Sequence, residues 1–283
     1  MGTLTNVHGL PQSIVAAVRN DPYTGGGDIS ATKLIDAPRV QLLGKLHRDK
    51  VTTDVSERVW SLLGQAVHTI LERAGLRQDG MIVEERLFAE VNGWQVSGQF
   101  DVLHLDDQKI SDYKVTTVWK QHGSDSWTRQ MNVLRWLAHQ NGHTVNTLEI
   151  VAIFRDWRKT EAQRNPEYPQ AAIAVIPVPV WELDEAEAYI RERVALHQEA
   201  AEGVDIECTD EERWYSGTTY ALMKPGSKRA VRVFDTPPTP AQIPEGHTVV
   251  ERPGEYKRCQ HYCDVSAFCS QWAETRASQT EGA

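Results

Sequence analysis

The fold of this chain is decided by residues 82–117, which read IVEERLFAEVNGWQVSGQFDVLHLDDQKISDYKVTT. Apolar residues tend to alternate with polar ones on both sides of the dipeptide Asn92-Gly93, and this pattern is the strongest short-range signal for a β-hairpin with a two-residue loop. A second turn is expected at residues 106–109. The stretch therefore predicts three antiparallel strands, at about 82–91, 94–105 and 109–117.

The predicted turns fix which side chains of these strands share a face. If residues 92 and 93 form the first loop, the register pairs Glu84 with Asp101. The second turn would then pair Asp101 with Lys114, and Asp112 would share their face because side chains alternate along a strand. The opposite face carries the apolar set that a sheet buries against a helix: Val83, Leu87, Val91, Val96, Phe100, Val102, Tyr113 and Val115.

Three carboxylates and a lysine on one face of a sheet allow two interpretations. They can form a solvated face with ion pairs, which is common in a three-stranded meander. They can instead bind a divalent cation, since clustered carboxylates raise the electrostatic energy unless a cation lies among them. Oxygen ligands from neighbouring strands suit Mg²⁺ or Mn²⁺.

Regular structure is also predicted on both sides of this stretch. A helix begins at Thr53 or Asp54 and runs to about Ala74, with an apolar stripe toward the core and His68 roughly opposite that stripe. Further helices at about 126–139 and 183–200, a buried strand at 148–154 and a hairpin-like stretch at 220–235 follow. This order predicts an α/β fold in which helices flank a mixed central sheet.

These residues resemble the PD-(D/E)XK nucleases, and most closely their RecB-like branch, which includes CRISPR-associated and phage-encoded exonucleases. The resemblance covers roughly residues 30–155 and the C-terminal cysteines. It implies a restriction-endonuclease-like core with a metal-stapled C-terminal extension. The motifs that carry it are Gly64-x-x-x-His68 on a helix, Gly98-Gln99-Phe100-Asp101, Asp112-Tyr113-Lys114, and Gln130 on the next helix.

The resemblance implies a role for each matching residue. Lys114 would orient the attacking water or stabilise charge on the phosphorus. Glu84 would support the ligands or bind a second cation, and Gln130 would hold water or phosphate. The ligands of a Mg²⁺ or Mn²⁺ ion would be His68, Asp101, Asp112 and the backbone carbonyl of Tyr113.

The implied activity is divalent-metal-dependent hydrolysis of DNA phosphodiester bonds. We expect an exonuclease that acts on single-stranded or end-containing DNA in phage recombination or end processing, with DNA and proteins of those processes as its partners. The rival interpretation is a nucleic-acid-binding module without catalysis, organised by a metal site of cysteines.

The four cysteines form a second candidate site. Cys259, Cys263 and Cys269 fall within eleven residues, and Cys208 can complete a set of four thiolates. RecB-like nucleases often hold a four-iron four-sulfur cluster with such a set. Here the first gap is three residues instead of two, and Ala37 stands where many relatives have cysteine. Three interpretations stay open: an iron-sulfur cluster, a structural zinc with help from His261, and free thiols.

Composition limits how the chain can meet nucleic acid. Its 30 Lys and Arg against 39 Asp and Glu give a net charge of −9, which disfavours binding through bulk positive charge. Local cations are the candidates instead, among them Arg155, Arg158 and Lys159. Unpaired bases could stack on Trp119, Trp127 or Trp157.

The remaining expectations concern organisation and location. No apolar run has the length of a membrane span, and no basic start with an apolar stretch opens the chain, so a cytoplasmic protein without membrane contact is expected. We predict three regions: a poorly ordered lead-in at 1–28, the nuclease core at 29–202, and a C-terminal extension at 203–283 with the hairpin and the cysteines.

Overall fold

The computed structural model describes residues 2–20, 25–76 and 79–281. They form two compact units, one of residues 2–38 and 49–204, the other of residues 39–48 and 205–281. Residues 39–48, which the sequence placed in the nuclease core, thus belong to the second unit. Residues 3–5 and 12–19 form a strand and a helix, so the expected poor order of the lead-in is wrong there, while residues 1 and 21–24 lie outside the described residues.

The elements are numbered in chain order over the described residues. None of the helices there has both the length and the hydropathy that crossing a membrane requires. The strands are β1 (Thr3–Thr5), β2 (Ile29–Ser30), β3 (Thr52–Asp54), β4 (Met81–Val83), β5 (Arg86–Val91), β6 (Trp94–Gln99), β7 (Val102–His104), β8 (Lys109–Thr116), β9 (Thr147–Phe154), β10 (Ile173–Val178), β11 (Thr219–Met223), β12 (Ala230–Phe234) and β13 (Thr248–Arg252). The helices are α1 (Gln12–Arg19), α2 (Ala31–Leu34), α3 (Pro38–Leu46), α4 (Val59–Gly75), α5 (Asp125–Gln140), α6 (Lys159–Arg164), α7 (Leu183–Ala201), α8 (Lys257–His261) and α9 (Ser270–Glu281).

The first unit is built on a mixed sheet with the strand order β10-β9-β8-β7-β4. Its neighbours β8 and β9 are parallel, and the other neighbouring pairs are antiparallel. A smaller sheet has the order β2-β6-β5. Helix α4 packs against β4 and β8, while α5 packs against β5, β6 and β9. The predicted α/β class, a mixed sheet flanked by helices, is confirmed.

Close packing of α5 on β6 explains the glycine of the Gly98-Gln99-Phe100-Asp101 stretch. A Cβ atom at Gly98 would lie 2.6 Å from Leu134 Cδ2 and 2.7 Å from Leu137 Cδ1. Both leucines and Phe100 are buried in the core of this unit. Because protein cores are close-packed, a larger residue at position 98 would push the helix away from the strand that leads to Asp101.

The first predicted hairpin has the expected register. Val91 pairs with Trp94 across the loop at residues 92–93. The same register continues from β5–β6 into β4–β7, where Val83 pairs with Val102. Glu84 therefore lies opposite Asp101, and its N–H donates a hydrogen bond of 2.9 Å to the Asp101 carbonyl.

The second hairpin differs from the prediction by two residues. His104 pairs with Lys109, so the turn is residues 105–108, and Gln108 closes it with a φ of 49°. Val102 pairs with Ser111, so extending this register by one residue places Asp101 across from Asp112. The predicted pairing of Asp101 with Lys114 is therefore wrong. Because side chains alternate with a period of two, a shift of two residues keeps the same side chains on the same face.

The second unit contains the antiparallel sheet β12-β11-β13. The strands β11 and β12 are the hairpin predicted at 220–235. The helices α8 and α9 follow this sheet in the chain, and three of the four cysteines lie in or between them.

Asp54 connects the chain segment before α4 with the N-terminal residues through hydrogen bonds. Its carboxylate accepts hydrogen bonds from Val7 N–H at 2.9 Å, from the Ser56 hydroxyl and N–H at 2.7 and 3.0 Å, and from the Thr5 hydroxyl at 2.9 Å. The Val7 N–H and then Ser56 make the largest contributions to lowering the Asp54 pKa well below its ordinary value.

Asp54→Asn is therefore expected to lower the thermal unfolding temperature at pH 7. A carboxyl group with a lowered pKa in the folded state stabilises the fold above its unfolded pKa of about 4, and this contribution disappears as the pH falls further. The gap in unfolding temperature between the parent and Asp54→Asn should shrink below about pH 4. A gap of the same size at pH 7 and pH 3 would contradict this account.

Candidate functional site

One cavity of about 750 Å³ in the first unit collects the predicted site residues. It lies where α4 and α5 face the junction of the two sheets. Further polar residues, Gln65, Glu72 and Gln99 among them, also line it. The predicted residues that line it are His68, Glu84, Asp101, Asp112, Tyr113, Lys114 and Gln130.

His68 lies against two carboxylates from different strand ends. Its Nδ1 is 3.2 Å from Asp101 Oδ1 and 3.6 Å from Glu84 Oε1. Asp101, and after it Glu84, raises the pKa of His68 to about 10, although burial acts in the opposite direction. Without a cation, the imidazolium thus provides the positive charge between the two acids.

A break in the strands makes this arrangement possible. Residues 84–85 separate β4 from β5, and residues 100–101 separate β6 from β7. Glu84 has a φ of 52°, which is uncommon for a residue with a side chain and is often found at functional sites. Asp101 Oδ2 accepts a 2.6 Å hydrogen bond from the Tyr113 N–H, which ties the strand end to β8.

Two residues that the sequence analysis gave no role hold Glu84 in place. The side chain of Gln99 donates a hydrogen bond of 2.5 Å to Glu84 Oε2, and Arg86 donates one of 2.6 Å to Gln99 Oε1. Gln99 and Arg86 are directly paired across β5 and β6. The predicted register already makes them neighbours, so this relay could have been found from the sequence.

Asp112 and Lys114 form the second charged pair of the cavity. Lys114 Nζ lies 2.8 Å from Asp112 Oδ2, and Asp112 is 2% exposed. Burial raises the pKa of Asp112, and the Lys114 ammonium opposes this. Burial acts to lower the pKa of Lys114, but Asp112 and then Asp101 raise it above its ordinary value. Without a cation, Lys114 thus favours its ammonium form, and its predicted electrostatic role stays a prediction.

Two observations test whether a divalent cation suits these residues. One ligand atom each of His68, Glu84 and Asp101 lies within 4.8 Å of the other two. Asp112 Oδ2 is buried, and within the described chain it has the Lys114 ion pair but no well-aligned hydrogen bond. Nitrogen and carboxylate oxygen are the donor types that Mn²⁺ accepts, and the oxygens also suit Mg²⁺. The donor set fits such an ion.

The close group differs from the predicted ligand set. Glu84 belongs to it, whereas Asp112 lines the same cavity without being one of its members. The backbone N–H of Tyr113 binds Asp101, and a role for its carbonyl as a ligand stays a prediction. Gln130 reaches the cavity from α5, and its role of holding water or phosphate stays a prediction.

Helix α4 is rotated relative to the sequence prediction. Its apolar stripe was expected to face the core, yet Leu63 is 39% and Ile70 64% exposed. The face toward the sheet instead carries His68, because the carboxylates beneath it attract the imidazole. The same rotation leaves Trp60, near the start of α4, 55% exposed.

The predicted stacking tryptophans have different surroundings. Trp119 is 89% exposed. Trp127 and Trp157 pack against the core, and the indole N–H of Trp157 donates to the Pro169 carbonyl at 2.6 Å. Trp127 and Trp157 are thus explained by packing.

The four cysteines meet in the second unit. All of them line one small cavity, together with Arg39 and Gln271. Burial raises the pKa of Cys208 to about 12 and also raises that of Cys263. His261 is exposed, packs edge-on against Tyr262 and does not line this cavity, which argues against its predicted help in a zinc site.

Comparison with solved structures shows remote likenesses. No protein-family model matches the sequence, and no curated protein matches it. The crystal structure of SSO0001 is similar with a TM-score of 0.47 and 14% identity, over 65% of this chain and 84% of that one. A phage-related exonuclease from Haemophilus somnus 129PT is similar with a TM-score of 0.38 and 16% identity, over 57% of this chain and 78% of that one. Neither likeness assigns an activity to this chain.

Proposed function

We propose that this protein is a divalent-metal-dependent nuclease of the PD-(D/E)XK type that hydrolyses DNA phosphodiester bonds. The observation that carries the proposal is the group of His68, Glu84 and Asp101, whose ligand atoms lie within 4.8 Å of one another beside the buried Asp112–Lys114 pair. The sequence also allowed a solvated face on which the carboxylates form ion pairs with lysine. Such a face does not account for carboxylates as buried as Asp101 and Asp112.

Each of the cavity residues has a separate role in the proposed hydrolysis. A divalent cation, when bound by His68, Glu84 and Asp101, supplies Lewis acidity toward the phosphoryl oxygens and lowers the pKa of water. The Lys114 ammonium stabilises the negative charge that develops on the transferring phosphoryl group. Asp112 keeps Lys114 protonated and in position, and Gln130 holds water or phosphate from α5.

We propose further that the enzyme is an exonuclease acting on single-stranded or end-containing DNA. A phage recombination or end-processing setting, with protein partners from that process, follows from the RecB-like resemblance. The test is to incubate end-labelled single-stranded and duplex DNA with Mg²⁺ or Mn²⁺, with EDTA as the control. Release of mononucleotides from ends supports an exonuclease. Binding without cleavage would favour the non-catalytic module instead.

The four thiols are proposed to hold a four-iron four-sulfur cluster that staples the C-terminal extension. Zn²⁺ has zinc–sulfur distances of about 2.3 Å and so brings its sulfur ligands within about 4 Å of one another. No three of these sulfur atoms form a group within 4.8 Å among the described residues, while all four line one cavity. Wider spacing suits a cluster in which each thiolate binds a different iron.

Replacing one of these thiols is expected to remove the cluster. Protein purified without oxygen should be brown, and Cys263→Ser should lose the visible absorbance and unfold at a lower temperature, because binding of a structural metal group contributes to folding. Ser266→Ala, which changes another residue lining the cavity, should keep the colour. Colourless parent protein with bound zinc would decide for the zinc site, and colourless metal-free protein for free thiols.

A further inference from the structure

We infer that Trp60 and Arg155 form a stacking surface for an unpaired nucleobase beside the candidate site. This inference rests on the proposed nuclease function and names its substrate class: a nucleic-acid strand whose bases are not paired near the point of cleavage. Nothing in the sequence pattern singled out Trp60, because it belongs to an apolar run at the start of α4.

The side chains of Trp60 and Arg155 already stack on each other. Cζ of the Arg155 guanidinium lies 4.1 Å from the centroid of the Trp60 ring, and the tryptophan is 55% exposed. A guanidinium over an indole is a favourable cation–π contact that also fixes the arginine. The pair thus presents a flat, cationic and partly apolar surface, which suits a base with its phosphate.

The position of the pair connects it with the cavity. Ser61, the next residue on α4, lines the cavity together with Gln65. The Arg155 N–H donates a 2.9 Å hydrogen bond to the carbonyl of Thr116, two residues after Lys114 on β8. Trp60 is thus the chain neighbour of a cavity-lining residue, and Arg155 is bonded to the end of β8, the strand whose residues 112–115 line the cavity.

An open strip of helix leads from the pair to the acidic group. Gly64 lies one turn from both Trp60 and His68, lines the cavity, and has nothing within 4 Å of the position of a Cβ atom. Eight residues of α-helix rise about 12 Å between Trp60 and His68. This is the length of a few nucleotides, whose spacing is about 3.4 Å in a stacked strand and larger in an extended one.

The negative charge of the protein is a reason for a nucleic-acid contact that does not depend on bulk positive charge. The chain carries a net charge of −9, and the cavity itself contains several carboxylates that repel phosphate. Arg155 supplies a cation next to Trp60 and the end of β8, and Arg158 and Lys159 follow within the next four residues of the chain. Stacking adds affinity without dependence on base identity, and it needs bases that are not stacked inside a duplex.

Binding of a labelled oligothymidylate tests the surface directly. Fluorescence anisotropy in the presence of Ca²⁺ should show about 5- to 150-fold weaker binding for Trp60→Ala, the range expected for one stacked base. Trp60→Phe should retain most of the affinity because it keeps a ring. Trp119→Ala is the matched comparison, since Trp119 is even more exposed and lies after the end of β8 instead of on α4. Equal binding by the parent and Trp60→Ala, loss in Trp119→Ala instead, or no binding by the parent would each overturn the inference.

A cleavage assay separates this inference from the proposed function. With Mn²⁺, the ratio of kcat/KM for oligothymidylate to kcat/KM for methyl p-nitrophenyl phosphate, which has no base, should fall by a similar factor in Trp60→Ala. If the parent binds the oligonucleotide through Trp60 but hydrolyses neither substrate, the nuclease proposal fails and the stacking surface stands. If the parent hydrolyses both and the ratio is unchanged in Trp60→Ala, the stacking surface fails and the nuclease proposal stands.

Discussion

Asp101→Asn is expected to reduce metal-dependent DNA cleavage by at least about a hundred- to a thousandfold, the loss seen when one electrostatic stabiliser is removed from an active site. The substitution keeps the size of the side chain and one oxygen that can accept the Tyr113 N–H, so the fold should persist. It removes the carboxylate charge that lies 3.2 Å from His68 and belongs to the close group. Cleavage of end-labelled DNA with Mn²⁺ measures the loss.

The same variant has a readout that does not depend on activity. Asp101 makes the largest contribution to the raised pKa of His68, so in metal-free Asp101→Asn that pKa should move down toward its ordinary value. An NMR titration of the imidazole measures the shift, and calorimetry measures the weaker binding of Mn²⁺. Asp107→Asn, in the exposed turn at residues 105–108, is the matched control and should behave like the parent. Full Mn²⁺-dependent cleavage by Asp101→Asn would contradict the proposal that Asp101 belongs to the active site.

Local signals account for the parts of the fold that the sequence predicts well. Asn92 and Gly93 both adopt left-handed φ angles, 50° and 79°, as a two-residue hairpin loop requires. Because this loop is short and unambiguous, the register that sets Glu84 opposite Asp101 follows directly from it. The loop fixes the register along the whole hairpin, so the sequence also predicts correctly that Glu84 and Asp101 are neighbours in the candidate site.

The errors arise where local signals are weak. Residues 105–109 offer two adjacent four-residue turns, and the structure selects the one that closes with Gln108 in a left-handed conformation, a choice that no glycine marks. The rotation of α4 depends on contacts far apart in the chain, between His68 and the strand ends at residues 84 and 101. An apolar stripe predicts a buried face only when the surface beneath it is also apolar.

Lys114→Met is the second large prediction, and it should affect both activity and stability. Cleavage should fall by about a hundred- to a thousandfold, because the ammonium that stabilises the phosphoryl charge is lost. In the absence of metal, the free energy of unfolding should fall by about 3–5 kcal/mol, since Asp112 would remain buried without its partner. Denaturant unfolding measures this loss. Adding Mn²⁺ should recover part of it, because a cation near Asp112 replaces the missing charge.

The pH dependence of that loss identifies its cause. Without Lys114, burial and then the nearby Asp101 carboxylate raise the pKa of Asp112, and His68 opposes them only in part, so the folded pKa of Asp112 lies above its unfolded pKa. A raised carboxyl pKa leaves the fold unaffected below the unfolded pKa of about 4 and destabilises it as the pH rises through the folded value. The stability deficit of Lys114→Met should therefore be larger at pH 8 than at pH 5. It should also be much smaller in the background of Asp112→Asn, where position 112 no longer carries a charge.

Lys109→Met provides the matched control for this pair. Lys109 lies on the same strand, forms an ion pair of 3.2 Å with Glu149, and has a side chain 24% exposed against 25% for Lys114. The side chain of Glu149 is more exposed than that of Asp112, at 17% against 3%, so water replaces the lost lysine more easily. Lys109→Met should therefore cleave DNA at a rate close to that of the parent and lose less stability. If both lysine variants lost activity equally, the effect would come from the sheet as a whole, and Lys114 would have no special place in the chemistry.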